Sequence, residues 1–134
     1  MPESRPCPLS THTALLRPIA RWSLDTFGGD PPMLVGVSLA NPKALFHPIS
    51  LDPFDPVTSI DQLVAPTSWD LVVVIVEALE TGSEVRDGIV AHAVDRAGRS
   101  ATELDDWCGR RRALRSRHGR LHKAAVQLLN AKHC

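Results

Sequence analysis

Six arginines fall within the eleven residues from Arg110 to Arg120, and no acidic residue follows Asp106. Guanidinium groups bind carboxylates and phosphates through paired hydrogen bonds, so a run of this kind is suited to an acidic ligand. Placed on a helix, Arg112, Arg115, Arg120 and Lys123 fall outside the apolar arc and are the expected contacts, with Arg110 and Arg111 assisting. The ligands that fit are an acidic protein surface, the chain's own acidic body, or a nucleic-acid backbone held non-specifically at ~10⁻⁴–10⁻⁶ M. The run has no interleaved aromatics and no nucleic-acid-binding motif. The plain alternative is a solvated helix flank.

His118 and His122 are four apart, a spacing that puts two imidazoles on one side of a helix within reach of one metal ion. No Glu lies between them in the zinc-protease pattern, and nothing in the sequence brings His92, Cys108, His133 or Cys134 up as a third ligand. The expectation is no metal, with His118 packed against the core. His92 shares a strand face with Val90 and Val94, and His47 precedes Pro48. Either is a general base by type, and Glu77, Glu80, Glu84 and Asp87 around the 80s loop would supply carboxylates to such a site. An enzyme with its site near His92 and that loop is therefore the alternative to a binding protein. No nucleophile elbow or phosphate loop accompanies these residues. Cys108 beside Arg110 is a thiol whose activation the neighbouring cation would favour, and a buried thiol is its plainer reading. Glu103, Asp105 and Asp106 read as solvated charges able to pair with the arginines that follow. The expectation is thus a non-catalytic protein with no cofactor.

These side chains must be positioned by a chain of 134 residues, 43% hydrophobic and 22% charged, which fits one globular domain. With three Trp, three Phe and no Tyr, the core must come from Val, Leu, Ile and Ala. Net charge is zero but lopsided: residues 1–108 carry −8 and residues 109–134 carry +8. That asymmetry points to an acidic partner or to head-to-tail self-association. The longest apolar run is six residues, Leu71 to Val76, so no membrane partner is expected. The opening MPESRPCPLSTHT has no apolar stretch, and three scattered cysteines are no disulfide framework, which together suggest a cytoplasmic location.

Apolar spacing predicts a helix from about Thr13 to Phe27, kinked or restarted near Pro18, after a flexible segment 1–12. Strands follow at 33–40 and 44–50, the second at an edge because Pro48 lacks a donor. A short helix capped by Thr58 is expected over 59–64. The segment 69–79 is apolar on both faces and reads as a central strand. Strands at 89–95 and 100–104 flank a tight reversal, and a basic amphipathic helix from about 109 to 131 closes the chain. The expected fold is a single α+β domain over 13–134, with a largely antiparallel five-stranded sheet between an N-terminal and a C-terminal helix. Its order, α-β-β-α-β-β-β-α, is similar to that of the profilin-like and roadblock folds, a likeness of topology that carries no function.

Trp69-Asp70, the valine-rich strand after it, and Val90-Ala91-His92-Ala93-Val94-Asp95-Arg96 with Gly98 resemble a group of uncharacterised small proteins of GC-rich actinobacteria. The resemblance covers about a third of the chain and implies a bacterial source without implying an activity.

Overall fold

The computed structural model describes residues 8–39, 44–78, 88–106, 111–114 and 120–130. Their elements, in chain order, are α1 (Pro8–Phe27), β1 (Met33–Ser38), β2 (Leu45–Ser50), α2 (Pro56–Asp61), β3 (Leu71–Ala78), β4 (Gly88–Asp95), β5 (Ser100–Asp106), β6 (Arg111–Leu114) and α3 (Arg120–Asn130). The strands form one antiparallel sheet in the order β2-β1-β3-β4-β5-β6. The α+β architecture with terminal helices on the sheet is the expected one.

Side-chain alternation along each strand divides the core into two layers. On one face Leu16, Ile19, Ala20 and Leu24 of α1 pack against Val35, Val37, Val73, Ile75, Ala91 and Ala93. On the other, Ala124, Ala125, Leu128 and Leu129 of α3, with Ile60 of α2, cover Leu34, Val72, Val74 and Val94. Every residue from Leu71 to Ile75 is buried, because β3 is covered on both faces and paired on both sides. This is the arrangement that its unbroken apolar run demands.

The α2 and α3 layer is held at its margins by polar contacts. Arg96, just past β4, donates to the carbonyl of Leu129 near the end of α3 and to those of Thr67 and Trp69, while Asn130 Nδ2 donates back to the Arg96 carbonyl. The β4–β5 reversal is closed by Asp95 Oδ1, which accepts from the amides of Ala97 and Arg99, and Gly98 takes the left-handed φ of +86°.

Both sheet edges depart from or refine the sequence reading. β2 is an edge strand, as Pro48 requires. Leu51 N–H points to the Pro32 carbonyl, so by alternation position 48 faces the outer edge, where proline removes a donor that another strand would use. Trp22 of α1 closes the corner beside it, with its ring centroid 4.2 Å from that of Phe46 and 5.7 Å from that of Phe27.

At the other edge the expected helix from 109 to 131 is corrected: Arg111–Leu114 forms a sixth strand, and the helix begins only at Arg120. Leu114 matched the helical arc by coincidence of spacing. Pairing with β5 satisfies the backbone of this segment instead, with Asp105↔Arg111 and Leu104↔Arg112 in register. Two smaller corrections concern caps and boundaries. Helix α1 starts at Pro8 and carries Pro18 inside it on the exposed side, where water can satisfy the carbonyl left without a donor. Helix α2 begins earlier than expected and is capped by Asp55, not Thr58.

Candidate functional site

Helix α3 is eleven residues long, and its burial follows one stripe. Ala124, Ala125, Leu128 and Leu129 face the sheet, leaving Arg120, Lys123, Gln127 and Asn130 exposed. Arg120 and Lys123 are three apart and therefore neighbours on the outer surface. Of the other expected contacts, Arg111 and Arg112 belong to β6, so they do not share a helical face with Lys123. Arg110 and Arg115 lie outside the described residues.

Helix α2 packs beside α3 and brings a residue that the sequence reading did not single out. Phe54, in the Asp52-Pro53-Phe54-Asp55 turn before α2, is 94% exposed. Its amide donates to Asp52 Oδ1, and the Asp52 amide donates to Ser59 Oγ, so the turn is fixed by its own hydrogen bonds. Asp55 accepts from the amide and hydroxyl of Thr58, at 3.1 and 2.6 Å. These bonds, with a smaller contribution from the charge of Arg120, hold the Asp55 carboxyl below its ordinary range. The result is a hydrogen-bonded turn that presents an aromatic ring just before α2, the helix packed on α3, with Val64 as a further exposed apolar side chain. The signal in the sequence was a lone phenylalanine between two Asp-Pro steps.

The histidines are arranged otherwise than the metal hypothesis required. His92 stands on the α3 face of β4, in register with Val74 and Thr102. Its Nδ1 is 2.7 Å from Thr102 Oγ1 and its Nε2 is 2.9 Å from Nδ1 of His122, a residue only 8% exposed. The rings meet edge to face with centroids 5.2 Å apart. His122 thus turns inward to His92; its expected companion His118 lies outside the described residues. Among the described residues no group of three or more His, Cys, Asp or Glu side chains could hold a metal ion. Both ring nitrogens of His92 lie within hydrogen-bond distance of side chains of the protein. His47 is exposed on β2, with its ring stacked at 6.1 Å from that of Trp69. The loop carrying Glu80, Glu84 and Asp87, and all three cysteines, lie outside the described residues.

Glu103 corrects the reading of its segment as solvated charge. It is fully buried on the α1 face of β5, and both its oxygens accept from α1, one from Arg17 Nη1 and the other from Arg21 Nε at 3.3 Å. Burial of a carboxylate requires such partners, and here they come from the N-terminal helix instead of the C-terminal arginines. A shallow concavity of about 550 Å³ is lined by Arg17, Pro18, Arg21, Trp22 and Asp25. The guanidinium groups there are already committed to Glu103.

No family model, no curated protein and no solved structure matches this chain. No helix among the described residues is long and apolar enough to cross a membrane.

Proposed function

We propose that this protein is a non-catalytic binding or adaptor module whose working surface joins Phe54 to the basic flank of α3, and that its partner is an acidic protein surface. The observations that support this reading are a 94% exposed aromatic ring in a hydrogen-bonded turn leading into α2, the helix that packs on α3, and the exposed Arg120 and Lys123 of α3. Aromatic and arginine side chains are the residues most often found to dominate protein–protein binding energy. A ring held by a short turn loses little conformational freedom when it inserts into a pocket. The surrounding cations select a partner with an acidic rim and speed the encounter.

This surface suits a protein better than a phosphate backbone. Asp52, Asp55 and Asp61 are all exposed on or beside α2, and they would repel the closely spaced charges of a nucleic acid. A protein partner can place its own carboxylates opposite Arg120 and Lys123 and turn an apolar patch toward Phe54. Self-association of the −8 body with the +8 segment draws on the same charges, but at the β2 edge Pro48 opposes strand addition.

The test uses a fluorescently labelled, acidic amphipathic helical peptide carrying Leu and Trp anchors, with a labelled DNA duplex beside it, in anisotropy titrations over a range of salt. Binding of the peptide that weakens at least ~10-fold in Phe54→Ala, consistent with loss of an anchor residue, is the expected result. Affinity for the duplex that falls linearly with log salt, and is indifferent to Phe54→Ala, would replace this reading with phosphate binding. Sedimentation of the protein alone separates self-association from both.

A further inference from the structure

We propose that the concavity on α1 is a binding site for a small monocarboxylic acid with a flat apolar body. Helix α1 covers the face of the sheet opposite α2 and α3, so this site is separate from the protein-binding surface proposed above.

Two rows of side chains on α1 build it. Arg17 and Arg21 are four residues apart, and so are Pro18 and Trp22, so each pair stands one above the other on the helix surface. All four line the concavity of about 550 Å³, a size usual for small-ligand sites. The cationic row is oriented by the sheet. Fully buried Glu103 accepts from Arg17 Nη1 on one oxygen and from Arg21 Nε on the other, and Arg17 Nη1 also donates to the Thr102 carbonyl. Commitment to Glu103 therefore uses one nitrogen of each guanidinium. A guanidinium carries five N–H donors over three nitrogens, so two nitrogens of each remain, on side chains that are 43% and 57% exposed. Among the described residues no other side chain or carbonyl takes them. The apolar row is fixed as well. Trp22 is 44% exposed, but its ring packs on Phe46 with centroids 4.2 Å apart and meets Phe27 edge to face at 5.7 Å. Pro18, exposed one turn before it, adds a second rigid ring. Side chains held in this way lose little freedom when a ligand settles on them.

The charge count selects the ligand. Arg17, Arg21 and Glu103 together leave one positive charge, which one carboxylate balances. Its two oxygens suit donors from two guanidinium groups one turn apart. A second anionic group would meet Asp25, which stands one turn beyond Arg21 and also lines the concavity. Trp22 and Pro18 ask for a flat apolar body next to the carboxyl group. An aryl carboxylate supplies both parts.

The experiment titrates isotope-labelled protein with naphthoate and follows the Trp22 indole N–H, assigned with Trp22→Phe, and the backbone amides from Arg17 to Asp25 by NMR. Naphthylmethanol, acetate and naphthyl phosphate are run beside it. Saturable shifts at these positions are expected, with a Kd of about 1 mM or tighter for a ligand of this size. The alcohol, which lacks the charge, and acetate, which lacks the ring, should each bind at least about tenfold more weakly. Arg21→Gln leaves Arg17 on Glu103 and should cost naphthoate about tenfold as well. Shifts that do not saturate, or that fall on α2 and α3 alone, overturn the site. So does an alcohol that binds as well as the acid, since the arginines would then contribute nothing. Tighter binding of naphthyl phosphate overturns the choice of a monocarboxylate. If Arg21→Gln does not fold, the acid and alcohol on the wild-type protein decide the same point.

Discussion

Trp69 lies flat across the backbone of Gly36: a Cβ built on that glycine would stand 2.2 Å from the indole ring. Gly36 is in mid-strand, paired to Val72 on one side and His47 on the other, so its backbone cannot retreat without breaking two ladders. Trp69 is itself buried, and its ring is nearly parallel to that of His47, with centroids 6.1 Å apart. Gly36→Ala should therefore destabilise the domain by about 1–3 kcal/mol, the usual cost of overpacking a filled core. Urea denaturation followed by Trp fluorescence measures this, and a neutral result would mean that the indole moves freely.

The ion triad on the opposite face makes a different prediction. Glu103 is fully buried, whereas Arg17 and Arg21 are about half exposed, so water screens the cations but not the anion. Replacing both arginines by Gln should cost about 2 kcal/mol, somewhat below the usual figure for breaking a buried pair because of that screening. Adding Glu103→Leu to the double variant should recover most of the loss, since the stranded charge is then gone. Denaturant midpoints of the three proteins test this, and no recovery would mean that the arginines stabilise by packing alone.

Arg96 links β4, the Thr67–Trp69 segment and the end of α3 through three carbonyls. Lysine can carry the charge there but not the fork of donors that reaches three acceptors. Arg96→Lys should destabilise by about 1.5–3 kcal/mol, the range for hydrogen bonds to a charged group. The loss should appear first as faster amide exchange at residues 126–130, ahead of β3. Uniform acceleration across both elements would instead assign Arg96 to global stability.

Much of this frame was legible in the sequence, and the failures have physical causes. The double-sided apolar run at Leu71–Val76 could only be a central strand, and Pro48 could only lie at an edge. Helix periodicity misled at Leu114, because the four residues Arg111–Leu114 have no apolar alternation and acquire their strand conformation from β5. Glu103 was read as surface charge because its partners are more than eighty residues away, a separation that no local pattern conveys. Arg120 and Lys123 are exposed on α3, whereas the exposure of Phe54 is not legible from local spacing.

Asp55 offers the sharpest test of charge at the proposed surface. It is ionised at neutral pH, held so first by the Thr58 hydroxyl and amide and then by Arg120, and it stands where an acidic partner would approach. Asparagine caps a helix about as well as aspartate, so Asp55→Asn removes the charge while keeping the start of α2. Its removal frees Arg120 from a competing carboxylate, and affinity for the acidic peptide should rise a few-fold at low salt, with the gain fading as salt screens it. The acid limb of stability should also change. A carboxyl whose value in the fold lies below the ordinary 3.8 stabilises at pH values above that figure, and this contribution is lost as pH falls through the lower folded value. Asp55→Asn should therefore unfold with a shallower pH dependence as pH falls below the ordinary 3.8, as read by circular dichroism at fixed temperature. Peptide affinity that is unchanged or reduced, in a variant whose acid limb has shifted as described, would place the partner away from Arg120.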